Sequence, residues 1–283
     1  DLGRYKARLL VLLRRVEQCA PQVGRVRLTE LRPAHIAQIR DAVARRYPSG
    51  TVRHTLSGVS AVFTWAVREG LLDRHPARGV EQPPSPPRLD EWLDGEEIRR
   101  LLLEAERRGK TSLLWRVRYV AVALGVYLGL RRGEIFGLRW QDVDLRNAHV
   151  TVARSYATLP KSSKPRHLRM PDELCQLLTE WQERCPPSPQ RVVCPVPYKQ
   201  AWQMSENTTE ARGLPQLLAD AALRPLPRPW HALRHSFASN YLRKGGSLVV
   251  LQRLLGHAEV RTTMIYAHLA NDYLADEMQR IKY

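Results

Sequence analysis

Cysteines are few in this chain, and the four that occur do not have the spacing of metal ligands. No Cys-x-x-Cys motif links Cys19, Cys175, Cys185 and Cys194. The pattern therefore excludes a zinc finger and fits unreactive thiols in a reducing cytosol. A signal peptide and an apolar run long enough to span a membrane are also absent from the sequence. We accordingly expect a cytoplasmic protein without a membrane partner.

Acidic residues are also too few to balance the basic ones. The chain has 45 Lys and Arg against 28 Asp and Glu, a formal net charge of +17 and a pI of about 10.3. This excess runs through both halves of the sequence and favours a polyanionic partner, nucleic acid first. With 43% hydrophobic residues the chain can bury a core, so it is not a disordered tail. No convincing cluster of carboxylates supports a cation-dependent nuclease.

The first 80 residues lack the alternation of a β-strand and show helical periodicity instead. Three apolar stripes with helical spacing predict a small helical bundle over residues 1–80. The next segment, 81–90, reads Glu-Gln-Pro-Pro-Ser-Pro-Pro-Arg-Leu-Asp. Because its closely spaced prolines cannot continue a helix, we expect a semi-rigid linker there. Residues 91–283 then form the second predicted domain.

This second domain shows both helical and strand patterns. Residues 94–97 resemble a capping box at a helix start, and a nearly all-apolar helix is expected over 115–128. Residues 149–152 and 166–170 read as two strands joined through a turn at 161–165. A helix begins near Pro171, prolines between 186 and 197 mark a loop, and the last third is helical. The predicted fold class is α+β: mainly α, with a small antiparallel β-sheet.

Two short stretches carry side chains that together can hold a phosphodiester and attack it without a metal. The first is His231-Ala-Leu-Arg234-His235, and the second runs from His257 to Tyr266. Tyr266 thus lies 35 residues after His231 in the chain. A third stretch, Gly129-Leu130-Arg131-Arg132-Gly133-Glu134, lies about a hundred residues upstream. As a set they indicate DNA strand transfer through a covalent phosphotyrosine.

Each residue type suits one part of that chemistry. A guanidinium bonds two phosphate oxygens and stays protonated, so Arg131 and Arg234 are the predicted phosphate clamp. Glu134 is predicted to orient Arg131. Tyr266 is the predicted nucleophile, and because a phenol has a pKa of about 10 it needs cations and a base.

Proton transfers need further side chains. His231 is the predicted general base, and His257 is predicted to donate a hydrogen bond to a non-bridging phosphate oxygen. Lys161, at the strand turn, is predicted to protonate the leaving 5′ oxygen, because a flexible ammonium can reach into a DNA groove. Lys164 is the alternative for this role.

The ordered motifs resemble those of the tyrosine recombinases, the family of phage integrases and related site-specific recombinases. Leu128 to Glu134 resembles the first arginine box of the family, and His231 to His235 matches its His-x-x-Arg motif. Leu255-Gly256-His257, followed nine residues later by Tyr266, matches the nucleophile box. The similarity covers the whole chain, although the strand that leads to Pro171 is a residue or two longer than usual.

This resemblance implies a core-binding domain and a catalytic domain that form a C-shaped clamp on double-stranded DNA. It implies a homotetramer on two paired sites, with residues 270–283 passed to a neighbouring protomer. Tyr266 would form a 3′-phosphotyrosine without metal or other cofactor, integrating or excising phage or mobile-element DNA in a bacterial cytoplasm. DNA-bending proteins are possible accessories. The candidate DNA-binding residues are Arg45, Arg46, Arg53, His54, Arg68 and Arg166.

Three other readings of the sequence were considered. His231 and His235 stand four apart as in a zinc hydrolase, but Ala232 occupies the place of the required glutamate. His235 is therefore predicted to be a packed or phosphate-facing residue. A DNA-binding regulator without catalysis would share the charge and the helices, although all six candidate catalytic positions carry competent side chains. A relaxing topoisomerase of similar chemistry would differ only in its products.

Overall fold

The chain folds into two compact units, Asp1–Leu89 and Asp90–Tyr283, and the division falls in the proline-rich segment 81–90. The computed structural model describes residues 2–84, 92–155, 165–198, 201–204 and 213–273, with the backbone alone at 2–9 and 270–273. Lys161 and Lys164 lie outside the described residues, as does most of the C-terminal segment 270–283.

The N-terminal unit is helical throughout its described part, as the sequence predicts. Its helices are α1 (Leu2–Cys19), α2 (Pro21–Gly24), α3 (Pro33–Ala44) and α4 (Ser49–Arg68), with a 3₁₀ turn at Leu28–Glu30. Proline occupies the first turn of α3, where its missing N–H costs no hydrogen bond. Ile36, Ile39 and Val43 then recur at helical spacing and are fully buried against α4.

The C-terminal unit is organised around one buried helix. Its first helices are α5 (Gly95–Gly109), α6 (Leu113–Leu128) and α7 (Arg132–Gly137). Asp94 and Glu97 form the predicted capping box at the start of α5. Helix α6 is apolar on nearly all sides and packs against α5 and against a later helix, Pro229–Arg243. It ends at Gly129, whose φ of +61° is the left-handed conformation that glycine adopts without strain.

Two small antiparallel sheets accompany these helices. Strands β1 (Val143–Asp144), β2 (His149–Val152) and β3 (Arg166–Arg169) form the first, with Val150 opposite Leu168. The predicted strand pair is thereby confirmed. Strands β4 (Val196–Tyr198) and β5 (Ala201–Gln203) form the second. The sequence predicts neither strand, and β4 begins within the predicted proline-rich loop.

Helices complete the chain. They are α8 (Asp172–Arg184), α9 (Gly213–Asp220), α10 (Pro229–Arg243), α11 (Leu248–Leu255) and α12 (Val260–Thr263), followed by the 3₁₀ helix Met264–Tyr273. The predicted fold class, mainly α with small antiparallel sheets, is confirmed. Among the described residues no helix combines the length and the hydropathy of a membrane span.

Candidate active site

The turn between α6 and α7 positions the first arginine. Arg131 precedes the first residue of α7, and its backbone N–H donates to Glu134 Oε2 at 2.8 Å. Its guanidinium Nη1 donates to the other carboxylate oxygen at 2.9 Å, yet 41% of the side chain stays exposed. Glu134 therefore fixes both the backbone and the head of Arg131, and leaves the guanidinium accessible to an anion.

A second arginine, Arg166 of β3, binds the same carboxylate from the opposite side. Its Nη1 and Nη2 donate to the two Glu134 oxygens at 3.1 and 2.8 Å, and its Nε donates to the Leu254 carbonyl at 2.9 Å. Only 9% of this side chain is exposed. Arg166 was predicted to contact DNA; in this structure its guanidinium is buried and joins β3, α7 and α11.

Glu134 stays ionised between these cations. Burial would raise the pKa of the Glu134 carboxyl, but the hydrogen bonds and charge of Arg166, with Arg131, outweigh burial and lower the pKa to about 2. The buried site therefore stabilises the ionised form of the carboxyl, because guanidinium groups donate hydrogen bonds to it.

The third arginine, Arg234 of α10, is the most deeply buried, with 2% of its side chain exposed. Its Nη1 donates to the Gly129 carbonyl at 2.8 Å, and its Nη2 donates to the Leu255 carbonyl at 2.6 Å. Burial, together with the positive charge of Arg131, lowers the pKa of Arg234 to about 9 against the opposing effect of Glu134. The guanidinium still carries its charge at neutral pH and ties the ends of α6 and α11 together.

His257 is held as a neutral ring of defined tautomer. Arg234 Nη2 lies 2.9 Å from Nε2, which must accept because a guanidinium only donates. Nδ1 therefore carries the proton and donates to Thr263 Oγ1 at 2.9 Å. Burial, with Arg234 and Arg131, lowers the pKa of His257 to about 4. In this arrangement Nε2 faces Arg234, so the predicted donation to a phosphate oxygen requires the ring or Arg234 to move.

Tyr266 lies in the 3₁₀ helix after α12, with 5% of its surface exposed. Its hydroxyl is 2.6 Å from Nδ1 of His235, the residue after Arg234 on α10. His231, one turn earlier and exposed, sets its ring edge-on to that of His235 with centroids 4.4 Å apart. The structure thus brings together Arg131, Glu134, Arg234, His257 and Tyr266, with the two histidines of α10 beside the phenol.

The electrostatic character of this cluster follows from its charges. Three guanidinium groups, those of Arg131, Arg166 and Arg234, surround the single carboxylate of Glu134 within 4 Å. The local charge is therefore positive, and a phosphodiester would reduce the repulsion that lowers the pKa of Arg234 and His257. Within the described residues no group of three or more His, Cys, Asp or Glu side chains is arranged to hold a metal ion.

The basic residues predicted for the N-terminal unit lie at two places. Arg45 and Arg46 follow α3 and are exposed, and Arg53 and His54 lie in the first turns of α4. Arg53 donates to the Pro83 carbonyl at 3.0 Å. Arg68 ends α4, about 22 Å further along the helix axis, and pairs with Glu69. Four of the five candidates therefore surround the α3–α4 junction, and Arg68 does not.

Sequence reasoning missed two contacts of the site. Thr263, fully buried, was not considered, and its role depends on the turn between His257 and Tyr266. His235 was read as a packed or phosphate-facing residue. Its place one turn after His231 could have indicated that both rings line the same face of α10.

The site combines fixed guanidinium groups, histidines and a phenol, which are the side-chain types that transfer of a phosphodiester to a hydroxyl requires. The model of the phage integrase family matches residues 91–272. The chain is 31% identical over 246 residues to tyrosine recombinase XerC of Xanthomonas axonopodis pv. citri, covering 86% of this chain and 75% of that protein. Identity to XerC of Pseudomonas syringae pv. tomato is 31% over 262 residues, 89% of this chain and 81% of the relative.

Solved structures show the same fold. The Tn1549 transposon integrase in complex with transposon right end DNA aligns with a TM-score of 0.79 at 19% identity, over 98% of this chain and 93% of that one. XerH site-specific recombinase bound to a difH substrate aligns with a TM-score of 0.70 at 20% identity, over 89% and 72%. The chain therefore belongs to the tyrosine recombinases of the phage integrase family and is a site-specific DNA recombinase.

Proposed function

We propose that Tyr266 is the nucleophile that attacks a DNA phosphodiester and forms a 3′-phosphotyrosine. The observation that carries this proposal is the 2.6 Å contact of its hydroxyl with Nδ1 of His235, the residue that follows the buried Arg234 on α10. The 5′ hydroxyl that leaves would then attack the partner strand. Because bond energy is conserved in the covalent intermediate, the rejoining step needs no further energy source.

In this proposal the phosphate lies between Arg131 and Arg234. Arg131 offers an exposed guanidinium, and Arg234 supplies a buried charge whose geometry three acceptors fix. Such fixed cations stabilise the transition state more than the ground state, and removal of one donor commonly costs about 10²- to 10³-fold in rate. Lys161, with Lys164 as the alternative, remains the proposed donor to the 5′ oxygen.

The biological role proposed is integration or excision of phage or mobile-element DNA in the bacterial cytoplasm. The description of the matched family supports it. Paired sites would be held by a homotetramer that exchanges residues 270–283 between protomers, with accessory DNA-bending proteins at some sites. Arg45, Arg46, Arg53 and His54 would hold the DNA backbone beside the α3–α4 junction. Replacing Arg45 and Arg46 by alanine should reduce the slope of log affinity against log salt by about 2.

The experiment that tests the chemistry is a covalent-trapping selection. The protein is incubated with randomised duplexes nicked near the cleavage point, without divalent metal, and adducts resistant to detergent are recovered. The proposal predicts an enriched sequence and adducts that Tyr266→Phe abolishes without loss of DNA binding. Adducts that persist in Tyr266→Phe would contradict the nucleophile assignment. Specific binding that yields no adduct with wild-type protein would favour the DNA-binding regulator.

A second assay tests the biological role. Recombination between two plasmids that carry the enriched site, and between two copies on one plasmid, is measured by the joined products. Integration or excision predicts joined products from sites that lie at the ends of an inserted element. Enriched sites that lie away from any element boundary would refute this part of the proposal and leave the strand-transfer chemistry intact.

A further inference from the structure

The hydrogen bond between Tyr266 and His235 is made by the phenol oxygen, the atom that would attack DNA. The phenol oxygen and Nδ1 of His235 are 2.6 Å apart, within the range of a strong hydrogen bond, and Tyr266 is nearly buried. A phenol is an O–H donor, and a neutral imidazole offers one nitrogen lone pair as acceptor. In the tautomer that carries its proton on Nε2, Nδ1 of His235 therefore accepts a hydrogen bond from the nucleophilic oxygen.

His257, the other histidine near the cationic cluster, cannot serve as this acceptor in the arrangement observed. Its Nε2 accepts from Arg234, and its Nδ1 proton is given to Thr263 Oγ1. Both ring nitrogens are therefore engaged away from the phenol. Among the described residues, α10 carries two further histidines beside this site, His231 and His235.

The two histidines of α10 differ in their position relative to Tyr266. The two rings meet edge-on with centroids 4.4 Å apart and an interplanar angle of 83°, and the ring of His235 is tilted by 56° to that of Tyr266 at 5.5 Å. His231 is exposed, whereas His235 is half-buried and presents Nδ1 to the hydroxyl. Nδ1 of His235 therefore lies within hydrogen-bond distance of the reacting oxygen.

We propose that His235, and not His231, is the general base for Tyr266, an inference that rests on the proposed nucleophilic role of Tyr266. During cleavage the Tyr266 oxygen–phosphorus bond forms and the phosphorus–O5′ bond breaks. The phenol proton passes to Nδ1 of His235, while a separate acid supplies the proton that O5′ requires. During rejoining the 5′ hydroxyl gives its proton back to that acid's conjugate base and bonds to phosphorus. The tyrosine oxygen–phosphorus bond breaks, and His235 returns its proton to the departing tyrosine oxygen.

The test measures the contribution of the base alone, because its substrate has a leaving group that needs no acid. A duplex with a sulfur in place of the bridging 5′ oxygen has a leaving group that needs no proton, and its single-turnover cleavage is followed as covalent adduct. We expect His235→Ala to form adduct about 10²- to 10⁴-fold more slowly than wild-type protein on this substrate. Added imidazole should restore part of that rate, because a small base can enter the space left by the ring.

Two further variants keep the test decisive. His235→Gln preserves a hydrogen-bond acceptor of similar size but has almost no basicity, so we expect it to be as slow as His235→Ala while it melts and binds DNA like wild-type protein. His231→Ala serves as the matched variant on the same helix face and should gain no rate from imidazole. If His235→Ala does not fold, the rate of His235→Gln decides.

The inference is overturned if His235→Gln cleaves within about threefold of wild-type protein, or if imidazole rescues His231→Ala but not a folded His235→Ala. Tyr266→Phe separates this result from a failure of the proposed function. Adduct that persists in Tyr266→Phe refutes the nucleophile assignment, whereas slow His235 variants beside an inactive Tyr266→Phe support both roles.

Discussion

The two units of the chain differ in what they bury. In the described part of the N-terminal unit, Thr55 is the one polar or charged residue that is buried. The C-terminal unit buries Glu134, Arg166, Arg234, Ser236, Ser239 and Thr263. Burying a charged group costs free energy unless the group has hydrogen-bonding partners. A well-packed apolar cluster in its place would often make the protein more stable. The C-terminal unit keeps a polar interior where the fold places its reactive groups.

The apolar cores of the two units also differ. The N-terminal core consists of aliphatic side chains and Phe63 packed between α3 and α4, while its basic residues lie outside. In the C-terminal unit, two helix ends in the left-handed conformation, Gly129 and Gly256, bring backbone carbonyls and guanidinium groups close together. A side chain at Gly256 would meet Arg166 Nη1 at 3.0 Å. Changes in the first unit should alter stability and binding but not the chemical step, and changes in the second should alter both stability and chemistry.

The largest effect is expected from Arg234→Ala. This change removes a buried donor that contacts the Gly129 and Leu255 carbonyls and His257, together with the charge opposite the phosphate. Single-turnover cleavage should fall by at least about 10²- to 10³-fold. Arg243→Ala, an exposed arginine at the end of the same helix, is the control and should cleave like wild-type protein. A loss of less than about tenfold in Arg234→Ala would contradict the clamp.

Glu134→Gln should give the next largest effect, on stability. The lowered pKa of Glu134, about 2 against an ordinary 4.5, corresponds to about 3 kcal/mol at neutral pH. Because the pKa is lowered in the folded state, this contribution is complete above about pH 5 and disappears as the pH falls towards 2. Denaturant unfolding at pH 7 and at pH 3 should therefore show a difference between the variant and wild-type protein that shrinks at the lower pH.

Glu106→Gln provides the comparison for that measurement. Glu106 pairs with Lys110 at the protein surface, so its replacement should change the free energy of unfolding by less than about 1 kcal/mol at either pH. Equal effects of Glu106→Gln and Glu134→Gln would show that the buried ion cluster does not stabilise the C-terminal unit.

Thr263→Val should have a smaller effect on chemistry. Valine keeps the shape of threonine but cannot accept from Nδ1 of His257, so the ring loses the contact that fixes its tautomer. We expect cleavage to slow about tenfold and the free energy of unfolding to fall by about 1 to 3 kcal/mol. Thr262→Val, on the exposed neighbour, should leave both quantities unchanged. Equal rates for the two variants would refute the role of Thr263.

The smallest effect is expected from Thr55→Val in the N-terminal unit. Thr55 Oγ1 donates to the Thr51 carbonyl at 2.9 Å and accepts from Arg15 Nη1 at 3.0 Å. Loss of these bonds should cost about 1 kcal/mol in unfolding. Cleavage of DNA that is already bound should remain at the wild-type rate, and a slower rate would show that the buried polar groups of the two units are not functionally distinct.

Much of this fold follows from local patterns in the sequence. The helices appear where apolar residues recur at helical spacing, and Gly129 and Asp94 mark their boundaries through conformational freedom and capping. The β4–β5 pair was missed because Pro197 argues against a strand. A two-stranded ribbon tolerates proline, since one side of each strand needs no partner.

The site was predictable as a set of residues but not as a set of contacts. The burial of Arg166 could have been read from the twofold period of β3, which places it on the same face as buried Leu168. The bonds of Arg234 to the Gly129 and Leu255 carbonyls depend on how α6, α10 and α11 pack, which no local pattern specifies. The same holds for the hydrogen bond between His235 and Tyr266.

The central claim is that the buried polar cluster of the C-terminal unit presents Tyr266 to DNA. The most direct measurement is mass spectrometry of the trapped adduct after digestion with protease and nuclease, with the free DNA end labelled in parallel. The account predicts a nucleotide joined through its 3′ phosphate to Tyr266, and a partner end that carries a free 5′ hydroxyl. A nucleotide on any other residue, or a linkage through the 5′ phosphate, would contradict it.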